Sequence, residues 1–272
     1  MKNFKKHLSF FPAIFFLLAT LCCQAQIDRD PEPYGGNLLM RDFICDEMSY
    51  PEAALEDKAE GTVEVAFTVM TDGKKIDHRI VQSLTPELDA EALRICKLIM
   101  YYPAVQSSNK IIADVVVPVK FNIKKYKRHC KKKGFDDYIP YQGDIDTSLI
   151  IYASRSLDKM PTPAFKDPGM TFPAFIMNNL KYPDLAYRQN ITGEVELSFV
   201  VETSGRISNI EIVKPLGGGC TEEAIQLLKK ILWKPGIKNG QAVRSFMTAS
   251  INFSLDNNSN HKYLPNNNNT TM

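Results

Sequence analysis

The chain of 272 residues carries nucleophilic and ionisable side chains, but their spacing does not assemble a catalytic centre. His78, His129 and His261 stand in unrelated sequence contexts and lack recognisable serine, cysteine or aspartate partners, so no catalytic triad can be proposed. Cys96 lies in an apolar stripe at helical spacing, where a small buried hydrophobe is a better interpretation than a nucleophile.

Two further patterns have both a chemical and a structural interpretation. Glu64, Glu194 and Glu196 lie on the outward face of predicted strands, where solvated carboxylates are the default and an acid–base pair is the remote alternative. The glycines at 217–219 precede a predicted helix but lack the Lys-Ser/Thr ending of a phosphate-binding loop, so a flexible turn is favoured. The sequence therefore predicts no enzyme, no metal site and no cofactor.

The cysteines show no metal-binding or disulfide pattern. Four remain after the N-terminal apolar segment, at Cys45, Cys96, Cys130 and Cys220, and their spacings match no CxxC or paired framework. An adventitious bridge stays open if the protein is exported, but its connectivity cannot be read from sequence. The 33 basic and 31 acidic residues nearly balance, so the overall charge does not indicate a nucleic-acid-binding protein.

These residues are carried on a sequence unit that occurs twice. Residues 50–123 and 182–255 align without a gap at a constant offset of 132 positions. The matched pairs include Tyr50-Pro51 with Tyr182-Pro183, Gly61 with Gly193, Phe67 with Phe199, Gly73 with Gly205, Pro103 with Pro235 and Phe121 with Phe253. Because glycine, proline and apolar residues recur, the duplication preserves a shape rather than a catalytic centre.

Each unit is predicted to fold as a small α+β domain. Apolar residues alternate with polar ones over 63–69 and 195–201, which predicts a strand with one buried face. Tight-turn residues at 71–73 and 203–205 lead to a second strand, and a helix follows with Thr85 or Thr221 as its N-cap. A last alternating strand completes a three-stranded, mainly antiparallel sheet with helices on one face, so the chain is two tandem two-layer domains.

Two conspicuous residues of the second unit are assigned to structure. Residues 184–192 are predicted to form helical turns that Gly193 closes. Trp233, just before Pro235 and Gly236, is expected to pack in the core rather than to bind a ligand.

The segments around the units set the expected boundaries. Lysines at 2, 5 and 6 precede a short apolar run, which predicts a signal peptide over 1–25 with cleavage before Gln26; an uncleaved inner-membrane anchor and lipidation at Cys22 or Cys23 are the alternatives. Repeat 1 is then placed at 33–123, a basic and polar linker at 124–160, repeat 2 at 161–256 and a disordered Asn-rich tail at 257–272.

An ordered set of residues in the second unit resembles the TonB C-terminal domain family, in the form abundant in Bacteroidetes envelope proteins. The set is Lys181-Tyr182-Pro183 with Ala186, Gly193-Glu194-Val195 leading into Phe199-Val200-Val201, Gly205, Glu223-Ala224, Trp233-Lys234-Pro235-Gly236, Asn239-Gly240 with Val243, and Phe253. The resemblance covers residues 161–255 and, more loosely, 33–123, where Pro33-Tyr34-Gly35-Gly36 is similar to the family's lead-in.

The resemblance implies a periplasmic module that binds the TonB-box peptide of an outer-membrane transporter by adding it as a strand beside the module's last strand. An edge strand with unpaired backbone groups is a template for such addition. The candidate edges are 114–119 in repeat 1 and, in repeat 2, Phe246, Met247, Thr248, Ala249, Ser250, Ile251 and Asn252. Repeat 2 is expected to be the receptor, because Pro118 supplies no N–H where repeat 2 has Ser250.

Two hypotheses of different class follow. The leading one is a non-enzymatic peptide-binding protein of TonB-dependent transport. Full transducers of the family have a long spacer before this domain. Here only residues 27–32, about 20 Å of extended chain, separate the predicted signal peptide from repeat 1. The alternative is a structural or regulatory envelope protein whose domains pair with each other or with a second copy as a homodimer. The basic run 124–133 is interpreted as a solvated linker. The functional alternative is that this run makes a weak contact with anionic lipid headgroups.

Overall fold

The computed structural model of the protein describes residues 28–134 and 141–255. The predicted signal peptide 1–25, with its cleavage site at Gln26, and the predicted tail 257–272 lie outside the described residues. Among the residues that are described, no helix combines the length and the apolar character that a membrane span requires.

Repeat 1 is built around a three-stranded antiparallel sheet in the order β3-β2-β7. Its elements are β1 (Glu32–Pro33), α1 (Gly36–Glu47), α2 (Glu52–Glu56), β2 (Gly61–Val69), β3 (Lys75–Gln82), α3 (Pro86–Leu98), β4 (Tyr101–Tyr102), β5 (Ala104–Gln106), β6 (Asn109–Ile111) and β7 (Ala113–Phe121). The short strands form two further pairs, β1 with β4 and β5 with β6.

The segment after repeat 1 is not simply a connection. It contains α4 (Ile123–Lys133), whose N-cap Asn122 accepts a hydrogen bond from the Lys125 N–H at 2.9 Å, and β8 (Ile151–Ala153), which is followed by a single 3-10 turn at Ser154–Ser156. The expected linker therefore carries a helix and a strand, and β8 belongs to the sheet of repeat 2.

Repeat 2 repeats the plan at the same offset and enlarges its sheet. Its elements are β9 (Thr162–Pro163), α5 (Phe172–Asn179), α6 (Asp184–Arg188), β10 (Gly193–Val201), β11 (Ile207–Lys214), α7 (Cys220–Leu228), β12 (Trp233–Lys234), β13 (Gly236–Lys238) and β14 (Gln241–Phe253). The sheet order is β11-β10-β14-β13, with β8 pairing parallel to β14. The predicted tandem α+β architecture, with an antiparallel three-stranded core in each unit, is confirmed.

Each repeat buries its own core between the sheet and the helices. The inward residues of β2 and β10 are fully buried, among them Phe67 and Phe199. The tyrosine that recurs in both repeats stabilises the segment before the first long strand. In repeat 2 the Tyr182 hydroxyl donates to the Ile191 carbonyl at 2.6 Å, and the Tyr182 ring packs edge-on against Phe253. Tyr50 repeats both contacts in repeat 1. The conserved plan of the duplication is thus a set of packing contacts.

Two local predictions are wrong in detail. Thr85 caps α3, its hydroxyl accepting from the Leu88 N–H at 3.3 Å, but Thr221 is not the cap of α7. Gly219, at φ 89°, occupies the N-cap position, and the Thr221 hydroxyl is bonded instead to the backbone of Leu216. A left-handed glycine makes the turn more tightly than a threonine can, so the helix begins at Cys220, two residues earlier than a Thr221 cap would place it.

Gly193 does not stop a helix either. Helix α6 ends at Arg188, and Gly193 is the first residue of β10, at φ 148°. Side-chain-bearing residues rarely adopt this backbone conformation, and a Cβ there would approach Leu216 Cδ1 to 3.2 Å. The glycine is required by the strand entry.

We expect Gly193→Val to lower the free energy of unfolding by about 1–3 kcal/mol, because a β-branched residue is strained at this φ. Gly217→Val is the matched control, since Gly217 has no positive φ and no atom within 4 Å of its added Cβ. Urea denaturation followed by circular dichroism compares the two. Equal losses in both variants would contradict the backbone explanation.

The repeats contact each other through helix α1 and strand β11, and side-chain hydrogen bonds join them. The Asn209 side chain accepts from the Met100 N–H at 2.6 Å and donates to the Leu98 carbonyl at 3.0 Å. Glu47 of α1 accepts a hydrogen bond from the Ser204 hydroxyl at 2.7 Å. These contacts link the domains side by side, and no strand pairs between the two three-stranded cores in the described residues.

Candidate functional site

The candidate site is the outer edge of β14, the side of this strand that faces away from β10. Over Ser245–Phe253 the other side of β14 is fully paired with β10 in antiparallel register. In such a strand, consecutive residues direct their N–H and C=O groups to opposite sides. The outer edge therefore uses the backbone groups of every second residue.

Hydrogen bonds show that the even-numbered residues face outward. The Ala242 N–H donates to the Asp144 carbonyl at 2.8 Å, and the Ala242 carbonyl accepts from the Asp146 N–H at 2.9 Å. Further along, the Phe246 carbonyl accepts from the Ser154 hydroxyl at 2.7 Å. By the same alternation, the N–H and C=O groups of Thr248, Ser250 and Asn252 are directed to the outer edge.

Repeat 1 supports this assignment independently. Pro118 is paired with Glu64 in the register in which Ser250 is paired with Glu196. Proline has no N–H to donate, yet β7 keeps its nine-residue register with β2, so this position does not supply a donor to the sheet. The Ser250 N–H accordingly points away from β10.

Part of the outer edge is already occupied. Strand β8 pairs parallel to β14 from Arg244 to Phe246, and Ile145 forms a parallel bridge to Ala242. Phe246, the first residue of the candidate edge in repeat 2, therefore lies in the occupied part, since its carbonyl is bonded to Ser154. In the described part of the chain, nothing pairs with the outer side of Thr248, Ser250 and Asn252.

Side chains along the open part of the edge divide between core and solvent. Ile251 is fully buried and Met247 and Ala249 pack against the core, whereas Thr248, Ser250 and Asn252 are exposed. An added strand would meet short polar side chains on the exposed face, and its affinity would come largely from main-chain hydrogen bonds.

The remaining residues predicted for the site are structural. Trp233 is 4% exposed, packs 5.5 Å from Phe199 between ring centroids, and donates its backbone N–H to the Gly205 carbonyl. Pro183 is the N-cap of α6, and Pro235 and Gly236 are buried between β12 and β13. A side chain at Gly236 would collide with Ser245. These residues shape the sheet behind the edge and do not line it.

A buried ion pair, missed in the sequence, anchors the occupied part of the edge. Arg244 of β14 donates from Nε and Nη2 to both carboxylate oxygens of Glu202, at 2.7 and 2.8 Å. It also donates to the carbonyls of Leu98 in repeat 1, at 2.8 Å, and Leu149 before β8, at 3.2 Å. Burial raises the pKa of Glu202, while Arg244 and the Ser208 hydroxyl oppose the rise.

Two signals in the sequence could have pointed to these features. The run Leu149-Ile150-Ile151-Tyr152 is rich in residues that favour strands, inside a segment that otherwise lacks periodicity. The counterparts of Glu202 and Arg244 at the 132-residue offset are Met70 and Ile112, so a charged pair stands where the other copy is apolar.

The residues considered for catalysis are dispersed and poorly suited to it. Burial raises the pKa of the Cys96 thiol to about 12, and burial together with nearby lysines lowers the pKa of His78 to about 4. His129 lies against Asp46, 2.7 Å from its carboxylate. Within 28–134 and 141–255, no three His, Cys, Asp or Glu side chains are grouped as metal ligands would be.

Two solved structures of TonB C-terminal domains are similar to part of this chain. The solution structure of the Helicobacter pylori TonB-CTD is 23% identical over 32% of this chain and 78% of its own, with a TM-score of 0.25. That of the Pseudomonas aeruginosa TonB CTD is 21% identical over 39% of this chain and 95% of its own, with a TM-score of 0.28. A search of curated proteins found no match.

The family model described as the Gram-negative bacterial TonB protein C-terminal matches this chain twice, over residues 46–123 and 178–255. The two regions contain the three-stranded antiparallel cores β3-β2-β7 and β11-β10-β14, and together they span more than half of the 272 residues. The chain belongs to the TonB C-terminal family.

Proposed function

We propose that the protein is a non-enzymatic, TonB-type binding protein of the periplasm that takes up a transporter's TonB-box peptide by β-strand addition at Thr248–Asn252. It would serve TonB-dependent outer-membrane transport. Family membership supports the coarser statement of a TonB-like envelope protein, because this family consists of protein-interaction domains. The peptide and its place on β14 are the finer proposal.

One observation carries the proposal: the outer edge of β14 already accepts a strand. β8 is added to it in parallel over Arg244–Phe246, and the same edge continues beyond β8 with three residues whose outward backbone groups have no partner among the described residues. Unpaired N–H and C=O groups in a row are the requirement for β-augmentation. The open stretch of five residues is about 17 Å long, enough for a short extended peptide.

The occupied stretch limits how the peptide can lie. β8 ends at Ala153, where the 3-10 turn Ser154–Ser156 begins. The Ser154 hydroxyl is bonded to the Phe246 carbonyl, which is the last occupied group of the outer edge. A peptide confined to Thr248–Asn252 can bind beside β8, whereas a longer one must displace it. The proposal places the peptide on the open stretch.

We expect Ser250→Pro to weaken binding of a synthetic TonB-box peptide about tenfold, the effect of losing one outward N–H at the centre of the added strand. The variant is expected to fold, because proline occupies the equivalent register position in repeat 1. Isothermal titration of the full chain with the peptide measures the change, and circular dichroism checks the fold.

Val116→Pro is the matched control. Val116 is the outward residue of β7 that corresponds to Thr248, so this change removes an outward N–H from the edge of repeat 1. Peptide affinity should stay within about twofold of wild type. A loss as large as that of Ser250→Pro would place the receptor in repeat 1 or in both repeats. Concentration-dependent dimers abolished by Ser250→Pro, without peptide binding, would instead favour pairing with a second copy.

A further inference from the structure

A groove on repeat 1, defined here as the basic groove, lies between α1, α4 and the end of β7. It has a volume of about 1090 Å³. Five cationic side chains from three elements line it: Arg41, Lys120, Lys125, Arg128 and Lys132. It lies outside repeat 2 and shares no residue with the outer edge of β14.

The cations of the basic groove are not neutralised by the protein. None of these five side chains forms an ion pair with a described residue, and all five are exposed. Cations nearby behave differently: Lys133 pairs with Asp46 at 3.2 Å and Lys229 pairs with Asp42. The carboxylate of Glu60 also lines the groove and accepts from the Ile123 N–H at 2.6 Å, so five cationic side chains there face one carboxylate. Since the whole chain carries a net charge of only +2, this concentration of positive charge is local.

Beneath the cations the basic groove is apolar. Ile44 of α1, Met48 at the end of that helix and Phe121 of β7 are buried at its base, and the half-buried ring of Tyr126 lies beside them. A cationic rim over an apolar base suits a molecule that carries both an anionic group and hydrocarbon. Inorganic phosphate would leave the base unfilled, and an acidic peptide would bring polar backbone to it, which costs free energy unless that backbone is hydrogen-bonded.

We propose that the basic groove binds an anionic phospholipid, with its phosphate among the rim cations and an acyl chain on the apolar base. Lysine and arginine are the side chains that bind phosphate, arginine through two parallel hydrogen bonds. The site differs from a general attraction of a basic helix to a membrane surface, because only one face of α4 takes part.

The geometry of α4 provides a control with the same charge. Lys125, Arg128 and Lys132 recur at helical spacing and line the basic groove, whereas Lys124, Lys127 and Lys131 do not line it. Replacing either set by glutamine removes three positive charges from the same helix. Any difference between the two triple variants therefore reports position rather than net charge.

Cys45 supplies a local readout, because it is exposed and lines the basic groove, while Cys96, Cys130 and Cys220 are buried. The purified full chain is alkylated at mildly alkaline pH, since partial desolvation by the groove and the nearby Asp46 and Asp42 raise the pKa of the Cys45 thiol. Peptide mass spectrometry follows the rate at this residue. The probes are dihexanoyl phosphatidylglycerol and dihexanoyl phosphatidylcholine, which have the same chains and differ in net charge.

Dihexanoyl phosphatidylglycerol should slow alkylation of Cys45 in wild type and in the Lys124→Gln/Lys127→Gln/Lys131→Gln variant. Dihexanoyl phosphatidylcholine should not slow it in either protein. The Lys125→Gln/Arg128→Gln/Lys132→Gln variant should bind dihexanoyl phosphatidylglycerol about tenfold more weakly or worse. Equal losses in the two triple variants, or equal protection by both lipids, would overturn the proposal. Protection by inorganic phosphate alone would show a phosphate site without an acyl chain and would also overturn it.

Discussion

Replacing Arg244 by alanine is expected to lower the free energy of unfolding by about 3–5 kcal/mol, the usual loss when one partner of a buried ion pair is removed. Glu202 is 1% exposed and would keep its carboxylate buried with only the Ser208 hydroxyl bonded to it. The same change removes the bonds to the Leu98 and Leu149 carbonyls, which connect repeat 1 and the start of β8 to β14. Urea denaturation of the full chain, followed by circular dichroism, measures the loss.

The destabilisation should depend on pH in a defined direction. Burial raises the pKa of Glu202, and removing the guanidinium takes away the main interaction that opposes this rise. The folded carboxyl therefore keeps its proton to a higher pH than the unfolded carboxyl, whose pKa is about 4.3. The folded state then binds more protons, and its stability falls as pH increases above that value. The loss from Arg244→Ala should thus be smaller near pH 4 than near pH 7; the opposite trend would contradict the assignment.

Repeat 1 suggests the control for this prediction. The double variant Glu202→Met/Arg244→Ile copies the apolar residues Met70 and Ile112 that stand at the equivalent positions. Replacing a buried ion pair by apolar residues of similar volume is often neutral, so the double variant should recover much of the stability that Arg244→Ala loses. A double variant as unstable as the single one would show that the carbonyl bonds, rather than the stranded charge, dominate.

The fold could be predicted from sequence where both copies follow the same local rules. Apolar residues at every second position over 63–69 and 195–201 mark β2 and β10, since these inward residues are fully buried in both strands. Thr85 followed by Pro86 marks the start of α3, because side-chain oxygen and proline both favour that position. Such signals depend only on a residue and its close neighbours in sequence, so they can be recognised without knowledge of the tertiary structure.

The parts that escaped prediction depend on partners distant in sequence. Three residues of β8 become a strand because an open edge of β14 lies beside them, nearly 100 positions away. Sequence predicts Thr221 as the N-cap of α7 where Gly219 occupies that position, because threonine and glycine are both favoured at a helix N-cap and sequence does not choose between them. For the candidate site, the direction of the edge could be inferred from Pro118, but its partial occupation by the chain itself could not.

Replacing Phe199 by alanine is expected to lower the free energy of unfolding of repeat 2 by about 3–5 kcal/mol, the range for emptying a buried aromatic site. The Phe199 side chain is fully buried and lies against Trp233, with 5.5 Å between ring centroids. Both ends of β10 are held in the sheet by β11 and β14, so the backbone cannot collapse easily into the cavity. The cost should therefore lie in the upper part of the range.

The position of this cavity makes the measurement specific to one domain. Trp233 is the single tryptophan of the chain and is buried beside the deleted ring, so its fluorescence in urea reports the unfolding of repeat 2 rather than of repeat 1. Phe246→Ala is the control, because Phe246 lies on the same sheet but is 43% exposed, and its truncation should change stability by about 0.5 kcal/mol. If Phe199→Ala and Phe246→Ala unfold at the same urea concentration, the inward face of β10 does not carry the core of repeat 2.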